Sequence, residues 1–163
     1  MATEGIVVIQ TGGTIDKRYP KSVGGYAFEI DTPAAGRVLQ RARVGSKTYR
    51  IITACRKDSQ DVTDADRQDL LILVKAQPET KILITHGTDT ILETGQFLAK
   101  TLVLSQDDTA QTADVKTLKH QANAKPITVA LTGSFLPEAF KDSDADFNVG
   151  LAMGLLMGQP QPG

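Results

Sequence analysis

Cysteine is almost missing from this sequence: Cys55 is the only one in 163 residues. A single thiol excludes an intramolecular disulfide framework and fits a reducing compartment. Histidine is nearly as scarce, with only His86 and His120, and neither stands at the spacing of a zinc site, so no metal is expected. An excess of one charge sign is absent too. With 18 basic against 19 acidic residues, no global field recruits nucleic acid or an anionic membrane. No apolar run approaches the ~20 residues that span a bilayer, and the start Met1-Ala2-Thr3-Glu4-Gly5 carries no basic n-region. These absences predict a cytoplasmic protein whose partner is a small molecule or another copy of itself, not nucleic acid and not a membrane. At 40% hydrophobic, the chain suits one domain with a real core and is too short to favour two.

What is present is a pattern repeated four times: a short apolar run stopping at small, hydroxylic or acidic residues. Ile6 to Gln10 ends at Thr11-Gly12-Gly13-Thr14, and Tyr49 to Ala54 leads to Lys57-Asp58-Ser59-Gln60-Asp61. Lys81 to Thr85 ends in His86-Gly87-Thr88-Asp89-Thr90, and Ile127 to Leu131 in Thr132-Gly133-Ser134. Each run reads as a strand, and the first reads as buried and central because it shows no polar alternation. Thr32-Pro33 offers an N-cap and a first helical position for a helix through Arg41. Thr63 and Asp66 have capping-box spacing, followed by Leu70, Leu71 and Val74 until Pro78. A third helix spans 90–102 with Leu92, Phe97 and Leu98 inward, and a last one spans 144–157 with Leu151, Leu155 and Leu156 on an exposed apolar face. The aperiodic stretch 16–31 reads as a long loop or loose hairpin of the kind that forms lids. The polar stretch 105–125 reads as a solvated loop or a poorly packed helix. Gln159 to Gly163 looks like a linker or a cut end. Strands alternating with helices predict an α/β fold, a mainly parallel sheet with helices on both faces. The four clusters then collect at the sheet edge where open α/β proteins bind ligands.

Thr14 is the first candidate for chemistry, because Gly12 and Gly13 allow close approach and leave its hydroxyl at that edge. A threonine inside a chain needs a base from elsewhere, and Tyr19 or Tyr26, near Lys17, are candidates. The plain alternative is a tight turn or a phosphate loop, although no Gly-Lys-Ser/Thr ending and no G-x-G-x-x-G spacing supports the latter. Thr88 and Asp89 place a second hydroxyl and a carboxylate after another strand, suited to orienting water and fixing a cationic group. Ser59 and Gln60 offer donors to a carboxylate, or simply form the turn before a helix. A metal at His86, or a Cys55–His86 dyad, lacks supporting ligand spacing.

Jointly, Thr11-Gly12-Gly13-Thr14-Ile15, Ser59-Gln60-Asp61, and Ile84-Thr85-His86-Gly87-Thr88-Asp89-Thr90 with Glu93-Thr94 resemble the bacterial-type L-asparaginase and glutaminase family. Thr132-Gly133-Ser134 and Phe147-Asn148 extend the resemblance toward the end of that family's larger, N-terminal domain. The resemblance implies hydrolysis of L-asparagine, or of L-glutamine, to the acid and ammonia without a cofactor. It implies catalytic roles for Thr14, a lid tyrosine (Tyr19 or Tyr26), Thr88, Asp89 and a lysine. The family's lysine follows the helix after Phe-Asn, and 157–159 hold none. Lys141 is then the nearest candidate. Gly13, Asp58, Ser59, Gln60, Gly87, Thr88 and Asp89 form the implied substrate-binding set. The family's second, C-terminal domain has no counterpart in 1–163, and its tetramers imply a homo-oligomer. A non-catalytic amino-acid binder and the amidase part of a tRNA-dependent amidotransferase are the competing expectations.

Overall fold

A computed structural model of the chain describes residues 3–20, 27–107 and 126–159. β1 (Thr3–Gly12), β4 (Tyr49–Lys57), β5 (Glu79–Thr85) and β6 (Thr128–Thr132) form one sheet in the order β4-β1-β5-β6, every neighbouring pair parallel. The uninterrupted apolar run of β1 is explained by its interior place. Ile6 and Val8 point to one face and Val7 and Ile9 to the other, all at most 2% exposed, as the period of two along a strand requires.

Helices cover both faces. α1 (Ala34–Arg41) and α4 (Ala145–Gly158) pack over Ile6, Val8 and Leu83 through Val38, Leu39, Val149 and Met153. α2 (Asp64–Ala76) and α3 (Ile91–Asp107) cover Val7, Ile9, Ile82 and Ile84 through Leu70, Leu71, Val74 and Leu98. α2 starts at the expected capping box: Asp66 N–H donates to Thr63 Oγ1, and Thr63 N–H donates to Asp66 Oδ2.

Three expectations need correction. Leu92 is not inward; it is 76% exposed. The buried stripe of α3 runs through Thr94 and Leu98, and Leu92 lies about 200° around the helix from Thr94 at ~100° per residue. On α4, Leu151 and Leu155 are exposed as expected but Leu156 is buried, because Val149, Ala152, Met153 and Leu156 form the i, i+3, i+4, i+7 stripe. α1 begins one residue later than Thr32-Pro33 implies, with Pro33 as N-cap. Proline carries no side-chain acceptor, so the free Ala34 N–H donates instead to Asp16 Oδ1 at 2.7 Å.

The stretch 16–31 contributes a short antiparallel pair, β2 (Lys17–Arg18) with β3 (Glu29–Ile30), so the hairpin reading holds where it is described. Tyr26 lies outside the described residues, as do His120 and the expected loop or helix over 108–125; α3 occupies 105–107. No described helix is long and apolar enough to cross a membrane.

Candidate active site

The clusters at the carboxyl ends of β1, β4 and β5 fit together because glycines let backbones touch. Gly13 has φ 86 and ψ −175, a region essentially restricted to glycine. A Cβ there would fall closer than 3.0 Å to Gly87 N and Cα. A Cβ on Gly87 would stand 2.6 Å from Ser59 Cβ. Hydrogen bonds lock the same junctions: Gly13 N–H donates to Lys57 O (2.9 Å), Thr11 Oγ1 to Thr85 O (2.9 Å) and Thr90 Oγ1 to Ser59 O (2.8 Å).

This edge opens into a cavity of about 270 Å³ lined by Thr14, Lys17, Asp58, Ser59, Gln60, Asp61, Thr88 and Asp89. The two threonines that the sequence placed 74 residues apart therefore share one space. Asp89 Oδ2 accepts from Gln60 Nε2 at 2.6 Å, fixing the carboxylate, and Lys17 Nζ pairs with Asp58 Oδ1 at 2.8 Å. Two larger grooves, about 430 Å³ between α1 and α4 and about 420 Å³ between β6 and α4, have mainly apolar linings. Neither brings two hydroxyls and carboxylates together, so chemistry rather than size selects the smaller cavity.

Other expected residues stand elsewhere. Tyr19 is 73% exposed, packed beside Phe28 (ring centroids 4.9 Å apart) and Phe140, and is not in the lining. Lys141 is exposed and also outside it. Thr132-Gly133-Ser134 is outside the lining and packs beside the third cluster, where a Cβ on Gly133 would meet His86 O and Thr88 Cγ2; Ser134 is buried and donates to Leu136 O, while Asn148 Nδ2 donates to Gly133 O at 3.0 Å. His86 is a satisfied core histidine. Its Nδ1–H donates to Gly87 O (2.9 Å), its Nε2 accepts from Thr94 Oγ1 (3.0 Å), and that hydroxyl accepts from Arg67 Nε. Burial lowers the histidine's pKa from its usual value, which keeps the ring neutral. Cys55 Sγ donates to Thr11 O instead of facing His86, and among the described residues no three of His, Cys, Asp and Glu gather as a metal-ligand set.

Lys17 and Asp61 also line the cavity, although the motifs assigned neither a substrate contact: Asp61 only closed the Ser59-Gln60-Asp61 motif, and Lys17 stood as a cation near the candidate tyrosines. The signal for Lys17 was its spacing. Thr14–Asp16 is a 3₁₀ turn, in which residues three apart eclipse, so Lys17 follows Thr14 onto the same side.

Asp16 ties this turn to the fold. It is fully buried, with Oδ1 on Ala34 N–H and its backbone O accepting from Asp31 N–H, while Oδ2 has no partner. Burial raises its pKa to about 6, outweighing the Ala34 N–H, Gln10 and Arg37, which lower it; Glu138 adds to the rise. In the unfolded chain the group titrates at 3.8. Its stabilising share is therefore complete below that pH and is lost as pH rises through about 6. Asp16→Asn keeps the Oδ1 acceptor and cannot ionise. Urea unfolding is expected to show the variant gaining about 3 kcal/mol on wild type between pH 3 and pH 7; a pH-independent difference would contradict this.

A family model of the asparaginase N-terminal domain matches residues 5–108, which carry the three cavity-forming clusters. The chain belongs to the asparaginase family. Solved asparaginases share the fold along nearly the whole chain. A probable cytoplasmic L-asparaginase from Campylobacter jejuni is 22% identical (TM-score 0.61) over 95% of this chain and 42% of its own. The thermostable L-asparaginase from Thermococcus kodakarensis is 27% identical (TM-score 0.60) over 93% and 40%. L-asparaginase I from Vibrio cholerae O1 biovar eltor is 23% identical (TM-score 0.62) over 94% and 40%. The chain thus spans about two-fifths of these asparaginases. No curated protein matches it at the sequence level.

Proposed function

We propose that the chain is an amidohydrolase that converts L-asparagine to L-aspartate and ammonia, with Thr14 as nucleophile. The observation that supports this most is the shared cavity of Thr14 and Thr88. In this reading Thr14 Oγ attacks the side-chain amide carbon, its proton ends on the departing nitrogen, and ammonia leaves an ester on Thr14. Thr88 then orients the water that hydrolyses the ester, returning the hydroxyl and releasing aspartate. Main-chain N–H groups near Thr88 face the developing oxyanion, in general the largest electrostatic contribution to acyl transfer. Asp89, steadied by Gln60, takes the substrate's α-ammonium, and Ser59 and Gln60 assist its α-carboxylate.

L-Glutamine differs by one methylene, a distinction worth about 1–3 kcal/mol in a pocket, so both amides belong in the same assay. Ammonia release by the purified chain, faster from L-asparagine than from L-glutamine, is the expected outcome. A second reading, an amino-acid-binding module, is favoured because neither Tyr19 nor Lys141 is among the lining residues. Calorimetric binding of L-aspartate with no ammonia from either amide would establish that reading instead. We also propose self-association, supported by the exposed Phe147, Leu151, Leu155 and Met157 on α4. Light scattering at the monomer mass would contradict it.

A further inference from the structure

We infer that Lys17 is a specificity-determining residue that receives the α-carboxylate of the bound amino acid, exchanging its bond to Asp58 for one to the ligand. The inference rests on the amino-acid reading of the cavity and adds a residue to it. Three carboxylates line the space, those of Asp58, Asp61 and Asp89, and Lys17 is its only cationic lining residue among the described residues. An α-ammonium is welcome there without further help. An α-carboxylate is not, because each of the three acids repels it. Ser59 and Gln60 supply donors but no charge, and Gln60 Nε2 is already engaged by Asp89.

Lys17 meets the need in position and in freedom. It stands one 3₁₀ turn after Thr14, at the start of β2, so an amide placed at the Thr14 hydroxyl has the ammonium within the same small space. Its present partner holds it lightly: the side chains of Lys17 and Asp58 are 25% and 47% exposed, and partly exposed ion pairs of this kind exchange at little cost. Lys17 is also paired through its backbone with Ile30 in the β2–β3 hairpin, so contact with the ligand tethers the hairpin to an occupied cavity. Asp58 then serves as the resting partner of Lys17, not as a direct contact of the ligand.

The test uses the full chain and three ligands: L-aspartate by calorimetry, and L-asparagine and 3-aminopropanamide by ammonia release. The last compound is asparagine without its α-carboxylate. Lys17→Met is expected to weaken L-aspartate binding and raise KM for L-asparagine roughly 10- to 100-fold, the range for losing a charge-assisted hydrogen bond. The kcat should change less than about 3-fold, 3-aminopropanamide should be handled as by wild type, and Lys17→Arg should restore much of the affinity. Asp58→Asn should move the opposite way and tighten L-aspartate.

A fall in kcat at unchanged KM, or equal losses on both amides, would overturn the assignment, as would weaker binding in Asp58→Asn. The two levels of the account fail separately. Wild type that binds L-aspartate but releases no ammonia removes the hydrolysis reading, and affinity alone then decides for or against Lys17. Wild type that binds no L-aspartate at millimolar concentration overturns the carboxylate assignment itself.

Discussion

Thr14→Ala is expected to lower ammonia release from L-asparagine by about 1,000-fold or more, since removing a covalent nucleophile leaves only binding and oxyanion contacts to act. The loss should fall on kcat. Thr14 is half-buried at the cavity wall and among the described residues no fold-holding hydrogen bond depends on its hydroxyl, so the urea midpoint should stay close to wild type. L-Aspartate should still bind, because the groups assigned to its ammonium and carboxylate are untouched. Steady-state kinetics and calorimetry on the same preparation separate these effects. Turnover within about 10-fold of wild type would remove Thr14 from the chemistry.

Gly13→Ala is expected to be the most damaging single change to the fold at the site, costing about 4 kcal/mol or more. Its backbone lies where alanine is strained by roughly 1–3 kcal/mol, and its Cβ would meet Gly87 N and Cα, main-chain atoms held by the β5 end and unable to rotate away. Against a typical total of about 5–15 kcal/mol, such a loss should be plain in urea unfolding. Gly95 in α3 is the contrast. A Cβ there meets nothing within 4 Å, so Gly95→Ala should stabilise by about 0.5–1 kcal/mol through helix propensity alone. Equal effects of the two substitutions would mean that Gly13 is not a packing contact between strand ends.

The strands and the site were legible in the sequence for the same reason. A strand centre buried on both faces favours apolar side chains, so Ile6 to Ile9 of β1 and Ile82 to Ile84 of β5 read as apolar runs, and the residues that end them must be small enough to interlock. Thr11 to Thr14, Ser59 to Asp61 and His86 to Asp89 announced themselves in that way. Capping is equally visible when it is local, as at Thr63 and Asp66, and invisible when it is not. The cap of α1 comes from Asp16, 18 residues upstream, and no spacing rule reaches that far. Leu92 shows that hydrophobicity alone does not mark burial, for the buried place belongs to Thr94, whose hydroxyl serves His86. The place of Lys17 in the cavity is invisible in the sequence for a related reason: it lies in a stretch without a period, and only the 3₁₀ turn brings it back to Thr14.

The most direct test of one cavity and one attacking oxygen is covalent trapping. An L-asparagine analogue with an electrophilic carbon in place of the amide, followed by peptide mass mapping, should place a single adduct on Thr14, suppressed by excess L-aspartate and absent from Thr14→Ala. Labelling of another residue, or of Thr14→Ala as readily as of wild type, would contradict the account.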